Sequence, residues 1–112
     1  MQKLTIPKTE EEAIRSFSGQ MYRKLGGNIV SISLFGSKAR GDYRKNSDTD
    51  ILVVLKNPKE SQINYIYEVV MDLVNKYKIY LSVKIFSEEE FEHYKNIQTM
   101  FINNVLRDRV KI

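Results

Sequence analysis

Apolar residues along this 112-residue chain follow two rhythms, steps of three and four in some stretches and steps of two in others. Ile14, Phe17, Met21 and Leu25 keep helical spacing. Thr9-Glu10-Glu11-Glu12 ahead of them fits a capping box, with Thr9 as N-cap and Glu12 three residues on. These marks predict a helix from about Glu10 to Leu25, stopped by Gly26-Gly27. Ile29 to Phe35 then alternates, with Val30, Ile32 and Leu34 on one face and Ser31 and Ser33 on the other, which predicts a first strand. Ser37 stands where it can cap a short helix running to Gly41. Asp42 to Ser47 is polar and reads as a loop. Ile51 to Leu55 is apolar on both faces, as in a central strand covered on both sides.

The second half repeats these rhythms. Asn57-Pro58 marks a helix start, since proline suits the first helical position. Ile63, Ile66, Val70, Leu73 and Tyr77 then trace a helix of about twenty residues. A third strand is predicted over Ile79 to Phe86, with Ile79, Leu81, Val83 and Ile85 sharing a face. Ser87-Glu88-Glu89-Glu90 is another capping box, opening a helix with Phe91 and Tyr94. A last helical stretch carries Ile97, Phe101 and Val105. The tail R-D-R-V-K-I reads as frayed. The order is therefore α-β-α-β-α-β-α over residues 1–112 in one domain, an α/β (α+β) class with helices on a sheet of three or four strands.

Composition narrows the chemistry. With no cysteine and one histidine, His93, neither thiolate zinc sites nor histidine clusters can form, so a metal would need oxygen ligands. A net charge of +4 favours an anionic partner such as a nucleotide, while the lack of a sustained basic stripe argues against nucleic acid. The longest apolar run, Ile51 to Leu55, falls far short of the roughly 20 residues of a membrane span. The opening M-Q-K-L-T-I-P-K has no apolar signal region, so a soluble, cytoplasmic protein is expected.

The candidate chemistry sits between the first two strands. Asp48 and Asp50 lie two apart at a strand entry, so both side chains leave one face with Cα atoms about 6–7 Å apart. Two carboxylates so placed can share cations, although a solvated strand entry has the same pattern. Gly36 permits a close backbone approach, and Ser37 offers a hydroxyl beside free amides, a combination that suits a phosphate oxygen or simply a tight turn. Lys38, Arg40, Arg44 and Lys45 crowd the same loop. Such a cluster can attract a triphosphate. Arg40 can equally brace the loop by pairing with a carboxylate. Ser47 either caps the aspartate turn or touches phosphate.

Gly36-Ser37, ten intervening residues and Asp48-Thr49-Asp50, with Ala39-Arg40-Gly41 between, resemble the signature of the polymerase β nucleotidyltransferase superfamily. The likeness is greatest to its small minimal nucleotidyltransferases. The resemblance implies a palm-like mixed sheet against helices, with the first two strands adjacent. It implies that Gly36 and Ser37 contact the β- and γ-phosphates of a nucleoside triphosphate, with Lys38, Arg40 and Ser47 nearby. It also implies that Mg2+ or Mn2+ joins those phosphates to Asp48 and Asp50.

One part of that pattern is missing. Complete members carry a third carboxylate on the next central strand, and the corresponding positions here are Ser82 and Lys84. Lys84 can set its ammonium beside the aspartates in place of a cation, or it can be a surface lysine. Glu88, Glu89 and Glu90 follow the strand and suit the first turn of a helix.

Two functions remain open. The chain is a nucleotidyltransferase that moves a nucleoside monophosphate, with ATP as the expected donor, onto a hydroxyl. The resemblance suggests a tyrosine of a helical HEPN partner as acceptor, as in toxin–antitoxin pairs. Alternatively it is a weakened or inactive module of that fold, antitoxin-like, that works by docking onto a helical partner. A homo-oligomer is compatible with either.

Overall fold

In the computed structural model, which describes residues 6–44 and 47–112, the first helix, α1 (Lys8–Leu25), buries Ala13, Ile14, Phe17, Met21 and Leu25 on one stripe. It begins ahead of the expected Thr9 cap. Pro7 occupies the cap position with φ −55° and its carbonyl accepts from the Glu11 N–H at 3.0 Å. Ile6 packs against the core, drawing that first turn inward and leaving Thr9 exposed inside the helix.

A single 3-10 turn at Gly26–Asn28 leads into β1 (Ile29–Phe35), α2 (Ser37–Arg40) and β2 (Thr49–Leu55). Then come α3 (Glu60–Tyr77), β3 (Leu81–Ser87), α4 (Glu88–Asn96), α5 (Met100–Asp108) and β4 (Val110–Lys111). The sheet order is β3-β2-β1-β4. β1 runs antiparallel to both β2 and β4, whereas β3 runs parallel to β2. A parallel pair needs a crossover, and α3 provides it. This is the mixed α+β sheet expected, with its first two strands adjacent.

β2 is covered on both faces. Ile51, Val53 and Leu55 join Ile32 and Leu34 beneath α1 and α3 in the larger core. Leu52 and Val54 face the other way, toward Phe91 of α4 and Ile102 and Val105 of α5. All five residues from Ile51 to Leu55 are buried, each contributing roughly 1.5–3 kcal/mol of transfer free energy if a large aliphatic. The same second layer explains why Ser31 and Ser33, expected on a polar face, are buried. A register irregularity between Ile29 and Ser31 accompanies the outward turn of Val30, which is exposed.

Other boundaries differ from the sequence reading for local reasons. The helix expected from Asn57-Pro58 starts at Glu60 because Asn57 is held elsewhere. Its N–H donates to Asn28 Oδ1 at 2.9 Å and its carbonyl accepts from Asn28 Nδ2 at 3.0 Å. Gln62 then closes the first turn, accepting from the Lys59 N–H. The third strand starts at Leu81 rather than Ile79, although the Tyr80 carbonyl already accepts from the Thr49 N–H at 2.9 Å. The capping box at Ser87 forms as expected, with Ser87 Oγ and the Glu90 carboxylate each accepting from the other's backbone N–H. Ile97 lies past the end of α4, and the last helix starts after Thr99, whose hydroxyl accepts from the Ile102 N–H.

The tail is ordered, not frayed. Val110 and Lys111 pair with Leu34 and Ser33, and the Ile112 N–H donates to the Ile32 carbonyl at 3.0 Å. Ile112 is only 8% exposed, within the larger core. Truncating Ile112 to alanine should therefore cost about 2–5 kcal/mol in urea unfolding. Lys111→Ala, at an exposed position, should stay within about 0.5 kcal/mol of wild type. Equal effects from the two would show that the tail does not anchor the sheet.

Candidate active site

The site forms where β1 ends and β2 begins. In the antiparallel register Phe35 lies opposite Asp50, so the turn after Phe35 runs against that carboxylate. Gly36 makes this contact with φ +74°, a backbone conformation that glycine adopts at little cost. A Cβ at Gly36 would lie 2.5 Å from Asp50 Oδ2. Glycine is thus required twice, for its backbone conformation and for the space that the aspartate fills.

Beyond Gly36 the chain closes a short helix. The Gly36 carbonyl accepts from the Ala39 and Arg40 N–H groups, both at 3.1 Å. Gly41, with φ 87°, ends it in the left-handed region. Gly36, rather than Ser37, is the cap residue, and Ser37 is the first residue of the helix. The expected capping bond from the serine hydroxyl is not made, since a side chain inside the first turn cannot reach back as a cap does.

Asp48 is exposed just ahead of β2, and Asp50 is half-buried within it. Thr49 between them is buried, as strand alternation requires when its neighbours point the other way. Partial burial raises the pKa of Asp50 above its ordinary value, and the charge of Asp48 adds to the shift. Lys84 and Arg40 oppose it. The parallel register sets Ser82 beside Asp50 and Lys84 beside Leu52. Both positions expected opposite the aspartates thus lie on Asp50's face of the sheet.

The basic residues divide. Arg40 donates from Nε to Asp42, with its closest contact 3.1 Å, and from Nη1 to Asp108 Oδ2 at 2.9 Å. Asp108, whose side chain is 5% exposed, also receives Arg107 at 2.8 Å. The two guanidinium groups, Arg107 foremost, hold the Asp108 carboxyl down at about 2. The same hydrogen bonds to Asp42 and Asp108 raise the pKa of Arg40. Of its two readings, Arg40 thus realises the brace. It ties the turn after Gly36 to the end of α5, while its charge still acts on Asp50.

Lys38 is turned into the protein at 2% exposure. Its Nζ lies 3.5 Å from Glu10 Oε1 and 4.2 Å from the centre of the Tyr43 ring. That position commits its charge to α1 rather than to the aspartates. Ser47 accepts from the Arg44 N–H at 2.8 Å, and its own N–H donates to the Arg44 carbonyl. It therefore closes the loop ahead of Asp48. Lys45 lies outside the described residues. Glu10, Tyr43 and Asp108 carry no local signal of these roles; Asp108 meets Arg40 across 68 positions.

The donor set suits one kind of metal. Two carboxylates offer hard oxygens, which would suit a hard divalent cation such as Mg2+ or Mn2+. Among the described residues no group of three or more acidic, histidine or cysteine side chains could hold an ion. Asp48 and Asp50 could supply two oxygens to such an ion and could not enclose it by themselves.

A family model described as the nucleotidyltransferase domain matches residues 14–112. The chain belongs to the nucleotidyltransferase family. It is 38% identical over 99 residues to a Methanocaldococcus jannaschii protein called "Putative protein adenylyltransferase MJ0604", covering 88% of this chain and 93% of that one. Its fold is similar to that of a spectinomycin adenyltransferase from Enterococcus faecialis solved with ATP and spectinomycin. The TM-score is 0.69 at 18% identity, over 91% of this chain and 55% of that one. It also resembles a chain of a toxin–antitoxin solved with AMP-PNP, with a TM-score of 0.57 and 18% identity over 86% and 69% of the respective chains.

Two outcomes test this geometry. Gly36→Ala should lower stability by about 1–3 kcal/mol in urea unfolding. Gly27→Ala should not destabilise, because a Cβ there meets nothing within 4 Å; equal losses would refute the close approach to Asp50. For Asp108, a folded pKa of about 2 against an ordinary 3.8 means stability that is present above about pH 4 and lost as pH falls toward 2. Asp108→Asn should lower the melting temperature at neutral pH and flatten its fall over that acid window. An unchanged acid limb would show that the pair with Arg40 and Arg107 contributes nothing.

Proposed function

We propose that this protein is an adenylyltransferase that transfers AMP from ATP to a hydroxyl on another protein. The observation that carries the reading is the contact of Gly36 with Asp50, which joins the Gly-Ser turn to the paired carboxylates in one cleft. In this reading Gly36 and Ser37 present the turn to the triphosphate. Asp48 and Asp50 hold a divalent ion, with Mg2+ the expected species, which when bound neutralises phosphate charge. The acceptor oxygen forms a bond to the α-phosphorus, and the bond from that phosphorus to the bridging oxygen breaks. The electron pair departs with pyrophosphate and the hydroxyl proton passes to water. Lys38, Arg40 and Ser47 act one step back, fixing the turn and the loop around the nucleotide.

Relatives called protein adenylyltransferases support a protein acceptor. The likeness to a toxin–antitoxin chain is compatible with a protein partner, and the proposed acceptor is a tyrosine of a helical, HEPN-type protein. An apolar rim beside the site suits such a partner. Met100 is 80% exposed, and Phe101 next to it packs edge-on against Phe35, one residue before Gly36. The small number of carboxylates favours a second reading, a docking module without turnover.

The test uses α-labelled ATP, the divalent ion and the protein together with whatever co-purifies. Label should pass to a protein tyrosine, and Asp48→Asn or Asp50→Asn should each lower the rate about 10²-fold or more. Transfer unaffected by both variants would overturn the assignment of the site. Nucleotide binding without transfer would replace the enzyme with the docking module.

A further inference from the structure

Among the described residues, one basic side chain on the strand beside the aspartates has no role in that reaction. Lys84 stands on β3, beside Leu52 in the parallel register. Side chains two apart on a strand share a face, so Asp50, Ser82 and Lys84 lie together on the face that also carries Leu52. On that face Leu52 and Val54 are sealed under Phe91, Ile102 and Val105, with Phe86 packed alongside. Lys84 is exposed at the border. Lys38 and Arg40 are committed to Glu10, Asp42 and Asp108, whereas Lys84 stands on the neighbouring strand two residues beyond Ser82, the register partner of Asp50.

We propose that the Lys84 ammonium supplies the positive charge that a second divalent ion would otherwise bring, so that this cleft takes one nucleoside triphosphate with a single divalent cation. The inference rests on the nucleotide reading of the site given above. A two-ion clamp sets its cations about 3.5–4 Å apart and needs carboxylates enough to offset them. Here, among the described residues, two carboxylates share a face of the sheet with one mobile ammonium. A second divalent ion next to that ammonium would meet twice the repulsion of two unit charges. One divalent ion plus one ammonium matches the donors present; two divalent ions do not. The flexible stem of Lys84 lets the ammonium follow a phosphate oxygen, as a point charge rather than a rigid fork.

Counting manganese tests this without relying on turnover. The full chain would be titrated with Mn2+ and an ATP analogue carrying a methylene between the α- and β-phosphorus, with free Mn2+ read by electron paramagnetic resonance. Wild type should bind one Mn2+ per nucleotide. Lys84→Met should weaken nucleotide binding about tenfold, and Lys84→Arg, which keeps the charge, should retain it. The double variant Ser82→Asp/Lys84→Met should admit a second Mn2+. Circular dichroism would confirm folding, which these substitutions on an exposed and a half-buried strand position should preserve. Two Mn2+ per nucleotide in wild type, or unchanged affinity in Lys84→Met, would overturn the role of Lys84 and leave the nucleotide site standing. Failure of wild type to bind the analogue at all would overturn both.

Discussion

The structure depends on a central strand enclosed on both faces that emerges, at its first residues, beside the turn at Gly36. From Ile51 to Leu55 every side chain is buried, locked between an antiparallel partner and a parallel one. Such a strand cannot slip by one residue, because that would exchange the two cores. Its register therefore sets where Asp50 stands relative to Phe35 on one side and Ser82 on the other. The site inherits its geometry from the packing of apolar residues that never touch a ligand.

Around that anchor the polar groups share the work unequally. Gly36 makes room, Asp48 and Asp50 provide charge, and Lys38 and Arg40 maintain shape. Arg40 spans the turn, its own loop and the C-terminal helix through Asp42 and Asp108. Lys38 crosses to α1. A flexible basic loop would bind an anion but would need ordering each time, and ordering costs conformational entropy. Here these ion pairs hold the turn in place beforehand.

The C-terminal segment completes this arrangement. α5 covers the second face, Asp108 receives two arginines at its end, and β4 with Ile112 closes the sheet edge beside β1. Residues at the far end of the chain thus brace a turn formed near residue 36.

Local pattern alone determined much of this protein. The three- and four-residue steps of Ile14 to Leu25 and Ile63 to Tyr77 mark helices whatever surrounds them, because burial of one stripe needs no knowledge of the partner. The doubly apolar run Ile51 to Leu55 identified the central strand, and the spacing from Gly36-Ser37 to Asp48 and Asp50 identified the candidate site. What no local pattern encodes is which distant groups meet. Asn28 takes Asn57 out of the expected helix, Glu10 takes Lys38 out of the cleft, and Asp108 takes Arg40 as a brace. The tail looked frayed because six mostly polar residues show no periodicity, yet an open edge of β1 was there to receive it. Only the tertiary structure decides such pairings, since a charge or a backbone edge has many eligible partners in sequence and one within reach in space.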